Sequence, residues 1–156
     1  MTSLTLVRRI AARPSIVFDA LTTADGVRSW WGPDDLPVVD AELDPRVGGA
    51  FRVHFQTLDG GDHEARGEYL EVDRPHRLVM TWRWGFGGEP EEANHTSRIE
   101  IVLVAFEGGT ELTFTHGGLR NAVSAASHKA GWDGSLAKLI RQFAEAPARA
   151  VLDPET

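Results

Sequence analysis

The strongest constraint on this chain is a change in the spacing of its apolar residues. Phe51, Val53 and Phe55 alternate with polar residues in "AFRVHFQ", and Leu78, Met80, Trp82 and Trp84 alternate in "HRLVMTWRW". "TSRIEIVLVAF" and "TELTFTH" read as two more strands, joined by a turn at Glu107-Gly108-Gly109. A period of two places such residues on one face of a strand. Towards the C-terminus the spacing becomes helical. His128, Trp132, Leu136, Leu139, Ile140 and Phe143 fall within about 120° of one another at roughly 100° per residue. A run of half-buried strands followed by one long amphipathic helix predicts that the helix lies on the apolar face of the sheet.

The segment before the strands completes the pattern. "SLTLVRRI" sets Leu4 and Leu6 against Thr5, Val7 and Arg9, as in an edge strand. Pro14 suits a first helical turn, and Ile16, Val17, Ala20 and Leu21 form one stripe. Thr23 is placed to cap a second short helix ending at Trp30 and Trp31. The order is strand, two short helices, several strands and a long helix, which predicts a two-layer α+β domain. With 156 residues, 42% of them hydrophobic, one core is expected. Residues 1–146 are expected to form the domain, and residues 147–156 a flexible tail.

Charge and residue types exclude several functions. Sixteen basic against 23 acidic residues leave a net charge of −7 with no basic stripe, so neither nucleic acid nor an anionic membrane is an expected partner. The chain has no cysteine, which removes disulfides and thiolate metal sites and fits a cytoplasmic location. No apolar run approaches the roughly 20 residues of a membrane span, and a soluble protein is expected. The six histidines show no ligand-spaced pair, so no metal is expected. "GFGGEP" follows a strand but opens no helix, so it is not a dinucleotide fingerprint, and no cofactor is expected. Neither a nucleophile elbow nor a triad order is present, and no catalytic residue is assigned.

What remains is an unusual set of aromatics. By parity and helical spacing, Trp30, Trp31, Phe51, Phe55, Trp82, Trp84, Phe114 and Trp132 converge on one interior, with Val53, Met80 and Leu136 beside them. Core packing accounts for most of this set. Buried indoles also need a partner for each N–H, and a partly wet, aromatic-lined pocket would serve both demands. His116 and His128 are the histidines expected near one end of that pocket, as polar groups or as packed, hydrogen-bonded core residues. Arg66 and Glu68 share strand parity with Leu70 and Val72. They point inward if that face is the inner one, and otherwise form an exposed pair. In the last helix, Gly131 is expected on the shoulder of the buried stripe, leaving room there, and Gly134 is expected to face solvent.

"VRRIAARPSIVFDALTTADGVRSWWGP", "VGGAFRVHF", "GEYLEVDRPHRLVMTWRW", "GGTELTFTHGGL" and "HKAGWDGSLAKL" together resemble the activator of heat-shock-protein-90 ATPase homologue-like family, within the START-like (SRPBCC, birch-pollen-allergen-like) superfamily. The resemblance spans about residues 3–145. It implies a helix-grip fold: a curved antiparallel sheet around a long C-terminal helix, with two short helices after the first strand. It also implies a deep cavity between sheet and helix that takes an apolar or aromatic small molecule. Two other roles belong to the same superfamily, a chaperone-partner or other protein-interaction module and a cavity-based cyclase- or hydrolase-like enzyme. Since fold and function separate readily, the converging tryptophans favour ligand binding.

Overall fold

Pro14, which lacks an N–H, opens the first helix where no donor is required, and Thr23 both ends that helix and starts the next. The Thr23 hydroxyl accepts the Gly26 N–H at 3.0 Å, the expected N-cap. The computed structural model describes residues 2–32, 36, 38–58 and 61–144. Its elements are β1 (Thr2–Ile10), α1 (Pro14–Thr22), α2 (Ala24–Trp30), β2 (Asp40–Leu43), β3 (Ala50–Gln56), β4 (Asp62–Asp73), β5 (Arg77–Phe86), β6 (Ser97–Phe106), β7 (Gly109–Leu119) and α3 (Ala122–Ala144). A 3-10 turn, Pro90–Glu92, interrupts the connection between β5 and β6. The expected tail, residues 147–156, lies outside the described residues.

The strands form one antiparallel sheet in the order β1-β7-β6-β5-β4-β3-β2, so β2 to β7 make a continuous meander and β1 closes onto the last strand. With α1 and α2 after the first strand and α3 on the concave face, this is the helix-grip architecture the resemblance implied. Two register shifts between β4 and β5, at Glu64/Ala65 and Tyr69/Glu71, bend the middle of the sheet. Gly67 sits between them. A Cβ there would lie 2.0 Å from the Thr81 carbonyl and 2.7 Å from the Phe51 ring, so only glycine permits this close approach.

The helix α3 is held at several points along its length. Asn121 caps its start by accepting the Ser124 N–H at 2.9 Å. Arg8 of β1 reaches Asp133 at 2.7 Å. Ser135 accepts the Gly32 N–H at 3.2 Å, and Lys138 donates to the carbonyls of Trp31 and Gly32 at 3.3 and 3.1 Å, which fastens the exit of α2 to α3. Leu136 and Leu139 are fully buried on the expected stripe. Each such leucine contributes about 2 kcal/mol through the area it removes from water. At one end of the interior, Phe51, Tyr69, Met80, Ile99 and Phe114 pack so closely that a space of only about 20 Å³ remains. Among the described residues no helix is long and apolar enough to cross a membrane.

Candidate ligand-binding cleft

At the other end, α3 and the sheet part to leave a cleft of about 760 Å³. Its roof is the small-residue face of α3: Ser127, Ala130, Gly131, Gly134 and Ser135. A Cβ built on Gly131 or Gly134 meets nothing within 4 Å, so the two glycines border open space. Gly134 is exposed, as expected, and both glycines also border the cleft. The stripe was centred on the apolar residues, whereas the cleft opens beside them, over the flank of the helix that carries both glycines. Trp31, Phe55, Trp82, Trp84 and Trp132 form the walls, with Thr57, Leu58, Gly88 and Glu89 at the rim. The rings meet edge to face or tilted, with Trp82 and Trp84 4.5 Å apart and Trp31 and Trp132 5.1 Å apart.

Beneath the walls lie two histidines in opposite circumstances. His116, in β7, is fully buried and both its ring nitrogens are engaged. Trp132 Nε1 donates to His116 Nδ1 at 3.1 Å, so Nδ1 is the acceptor and the hydrogen of the neutral ring sits on Nε2. That Nε2–H donates to Ser97 Oγ at 2.7 Å, and the Ser97 hydroxyl donates in turn to the Trp82 carbonyl at 3.2 Å. Burial, reinforced by His128 and His95 nearby, pushes the His116 pKa down to about 3. A proton on Nδ1 would face another N–H, and the network admits only the neutral ring.

His128, on α3, has one nitrogen engaged. Its Nε2 lies 3.2 Å from Glu92 Oε2, and Glu92 also accepts from the Ser124 hydroxyl and, at 3.2 Å, from Trp84 Nε1. Burial opposes the Glu92 charge, but the Ser124 hydrogen bond, the field of His128 and the bonds from His128 and Trp84 together hold its pKa below the usual carboxylate value. For His128, burial lowers the pKa and the Glu92 carboxylate restores only part of the loss. The pair thus rests as carboxylate and neutral imidazole, with the imidazole hydrogen on Nε2. Among the described residues His128 Nδ1 has no hydrogen-bond partner, and it is not among the polar atoms sealed from the surface. Trp82 Nε1 is sealed, and it has no acceptor among the described residues. Leaving a buried N–H unpaired costs about 1–3 kcal/mol.

The aromatics read from the sequence divide between the two ends. Trp31, Phe55, Trp82, Trp84, His128 and Trp132 border the cleft. Trp30, Phe51, Val53, Met80 and Phe114 instead surround the small space at the closed end, which Trp31 and Trp132 also reach. His116 and Leu136 are fully buried between helix and sheet.

Arg66 and Glu68 do not enter the cleft. Glu68 is exposed, Arg66 pairs with Glu64 at 3.1 Å on the outer face, and Ala65 and Tyr69 are the residues of this stretch that face inward. The register shift at Tyr69/Glu71 is the cause, because parity taken from Val72 does not carry back across it.

Glu92 was not visible in the sequence as a site residue. Its loop, "GFGGEPEEAN", has no period, and the available signal was Pro90, which opens the short turn that presents the carboxylate. Glu89 and Glu92 are the only formally charged residues among those described around the cleft, which include no lysine or arginine. No group of three His, Asp or Glu residues placed to hold a metal occurs among the described residues.

A family model described as "Activator of Hsp90 ATPase homolog 1-like protein" matches residues 11–144. Among solved structures, a Chromobacterium violaceum protein superposes with a TM-score of 0.78 at 25% identity, covering 92% of this chain and 98% of its own. The AHSA1 protein from Silicibacter pomeroyi gives the same TM-score at 24% identity, over 92% and 98% of the two chains. An AHSA1-like protein from Aeromonas hydrophila, solved in solution, gives 0.73 at 21% identity, over 94% of each chain. No curated protein matches the sequence.

Proposed function

This chain belongs to the Activator of Hsp90 ATPase homolog 1-like family, and from that premise we propose that its cleft binds an apolar or aromatic small molecule. The family and fold support a ligand-binding or interaction domain in general. The observation that carries the finer reading is a cleft of about 760 Å³, walled by four tryptophans and Phe55 and roofed by small residues. That volume suits a drug-sized ligand. Burying about 300 Å² of apolar ligand surface would contribute roughly 7 kcal/mol before the entropic cost of association. Polar selectivity would come from the Glu92–His128 pair. The absence of lysine and arginine from the described lining disfavours carboxylate ligands.

An environment-sensitive apolar dye titrated into the protein tests this reading. Saturable quenching of tryptophan fluorescence is expected, and it should weaken in Trp82→Ala and in Gly131→Leu, which fills the roof. Native mass spectrometry of the purified protein should show a co-purifying small molecule or, failing that, added aromatic ligands bound at unit stoichiometry. Absence of saturable quenching across dyes and aromatic ligands would sink the proposal.

A further inference from the structure

Resting on that binding reading, we infer that the cleft is also a site of proton abstraction: His128, held by Glu92, is a general base for an uncharged carbon acid bound against the tryptophans. The comparison with His116 carries the inference. His116, buried in the core, engages both ring nitrogens, with Trp132 and Ser97. His128 spends only Nε2, on a carboxylate, and its Nδ1 lone pair is left for whatever enters the cleft it lines. Carboxylate, imidazole and a free ring nitrogen in line is the arrangement that fixes a tautomer and stabilises the imidazolium as it forms.

Its neighbours fix the ring's orientation. It stands edge-on to Trp82 at 4.8 Å and lies stacked on Trp84 at 6.1 Å. Glu92 is itself held by Ser124 and Trp84. The titratable groups facing His128 are Glu92 and His116, whose ring is 4.9 Å away and neutral. Burial keeps His128 in its basic form near neutral pH. The acidic lining disfavours an anionic substrate. With an enolisable carbonyl compound the proton would pass from the α-carbon to His128 Nδ1. The C–H electron pair would become a C=C bond and the carbonyl π pair would move to oxygen. Return of the proton to a different carbon completes an isomerisation, with no other reactant.

The probe is 5-nitrobenzisoxazole, in which loss of the isoxazole C3–H proton breaks the N–O bond and yields a coloured 2-cyano-4-nitrophenolate. Wild-type protein should turn it over saturably, with kcat rising as pH increases through one transition on the acid side and levelling off near neutral pH. His128→Gln should reduce kcat at least about 100-fold, within the range for loss of a general base. Glu92→Gln removes the charge that raises the His128 pKa, so the transition should move to lower pH, with kcat reduced roughly tenfold. Were another group the base, the midpoint would stay in place.

Long-range proton–nitrogen spectra of the wild-type protein at neutral pH test the same point without a variant, and should find Nδ1 of His128 unprotonated. Wild-type turnover in His128→Gln, an unmoved midpoint in Glu92→Gln, or a proton on Nδ1 of the neutral ring would each overturn the base. In any of these cases saturable dye quenching would leave the binding reading standing, and its loss in the wild type would strike that reading instead.

Discussion

The two ends of the interior are built from the same elements yet differ in volume by more than an order of magnitude. At the closed end Phe51, Tyr69, Met80 and Phe114 fill the gap between sheet and helix to about 20 Å³. At the open end a similar investment in aromatics, Trp31, Phe55, Trp82, Trp84 and Trp132, encloses about 760 Å³. The sheet side is not what distinguishes them, since both ends are large and apolar. On α3, Leu136 and Leu139 are fully buried, whereas Gly131 and Gly134 are exposed and border the cleft. The two glycines of α3 lie along the open end. Each glycine costs about 0.5–1 kcal/mol relative to alanine, and full burial elsewhere on the same helix offsets that loss.

The largest expected effects contrast these ends directly. Leu136→Ala removes a fully buried side chain and should lower stability by about 2–5 kcal/mol in urea denaturation. Gly131→Leu should change stability by less than about 1 kcal/mol and abolish dye quenching, because the new side chain enters open space. A Gly131→Leu variant as unstable as Leu136→Ala would show that the roof is packed after all.

Next in size is the acid response of the closed network. His116 is neutral when folded, with its pKa depressed to about 3, and is protonated near its ordinary value when unfolded. The unfolded state therefore binds the extra proton as pH falls. The stability contribution is complete above about pH 6.5, declines below it by up to about 1.4 kcal/mol per pH unit, and levels off near the folded pKa. Lowering the pH from about 7.5 to about 5 should cost roughly 2 kcal/mol through His116, with His128 adding in the same direction. His116→Gln should flatten this slope, measured by denaturation at a series of pH values. An unchanged slope would place the acid sensitivity elsewhere.

Smaller again, Gly134→Ala should raise stability by about 0.5–1 kcal/mol, since its Cβ meets nothing within 4 Å. Its effect on binding should be slight, and Gly134→Leu should impair binding as Gly131→Leu does, now that both glycines are seen to border the cleft. The smallest effect belongs to Glu68→Ala, an exposed outer-face change expected within about 0.5 kcal/mol of wild type and without consequence for dye binding. A marked loss of binding in Glu68→Ala would reinstate the inward orientation that the strand register excludes.

Spacing alone made the architecture legible. The alternation in β3 and β5, the cap at Thr23 and the stripe from His128 to Phe143 are local consequences of how a strand or helix partitions its faces between water and core. They determine which residues face inward, and Trp31, Phe55, Trp82 and Trp132 are buried there, with Trp84 half-buried. Spacing was misleading where the backbone departs from regularity. The bulges in β4 reverse parity between Glu64 and Glu71, and an exposed Arg66 and Glu68 looked as if they could be interior.

Which inward residues border a void and which fill a core was settled by tertiary structure alone, because that depends on the local distance between α3 and the sheet. The Glu92–His128 pair belongs to the same class. Its members stand 36 residues apart, one on an aperiodic loop and one on a helix. No periodicity relates two such positions, and only chain closure through β6 and β7 brings the carboxylate to the imidazole.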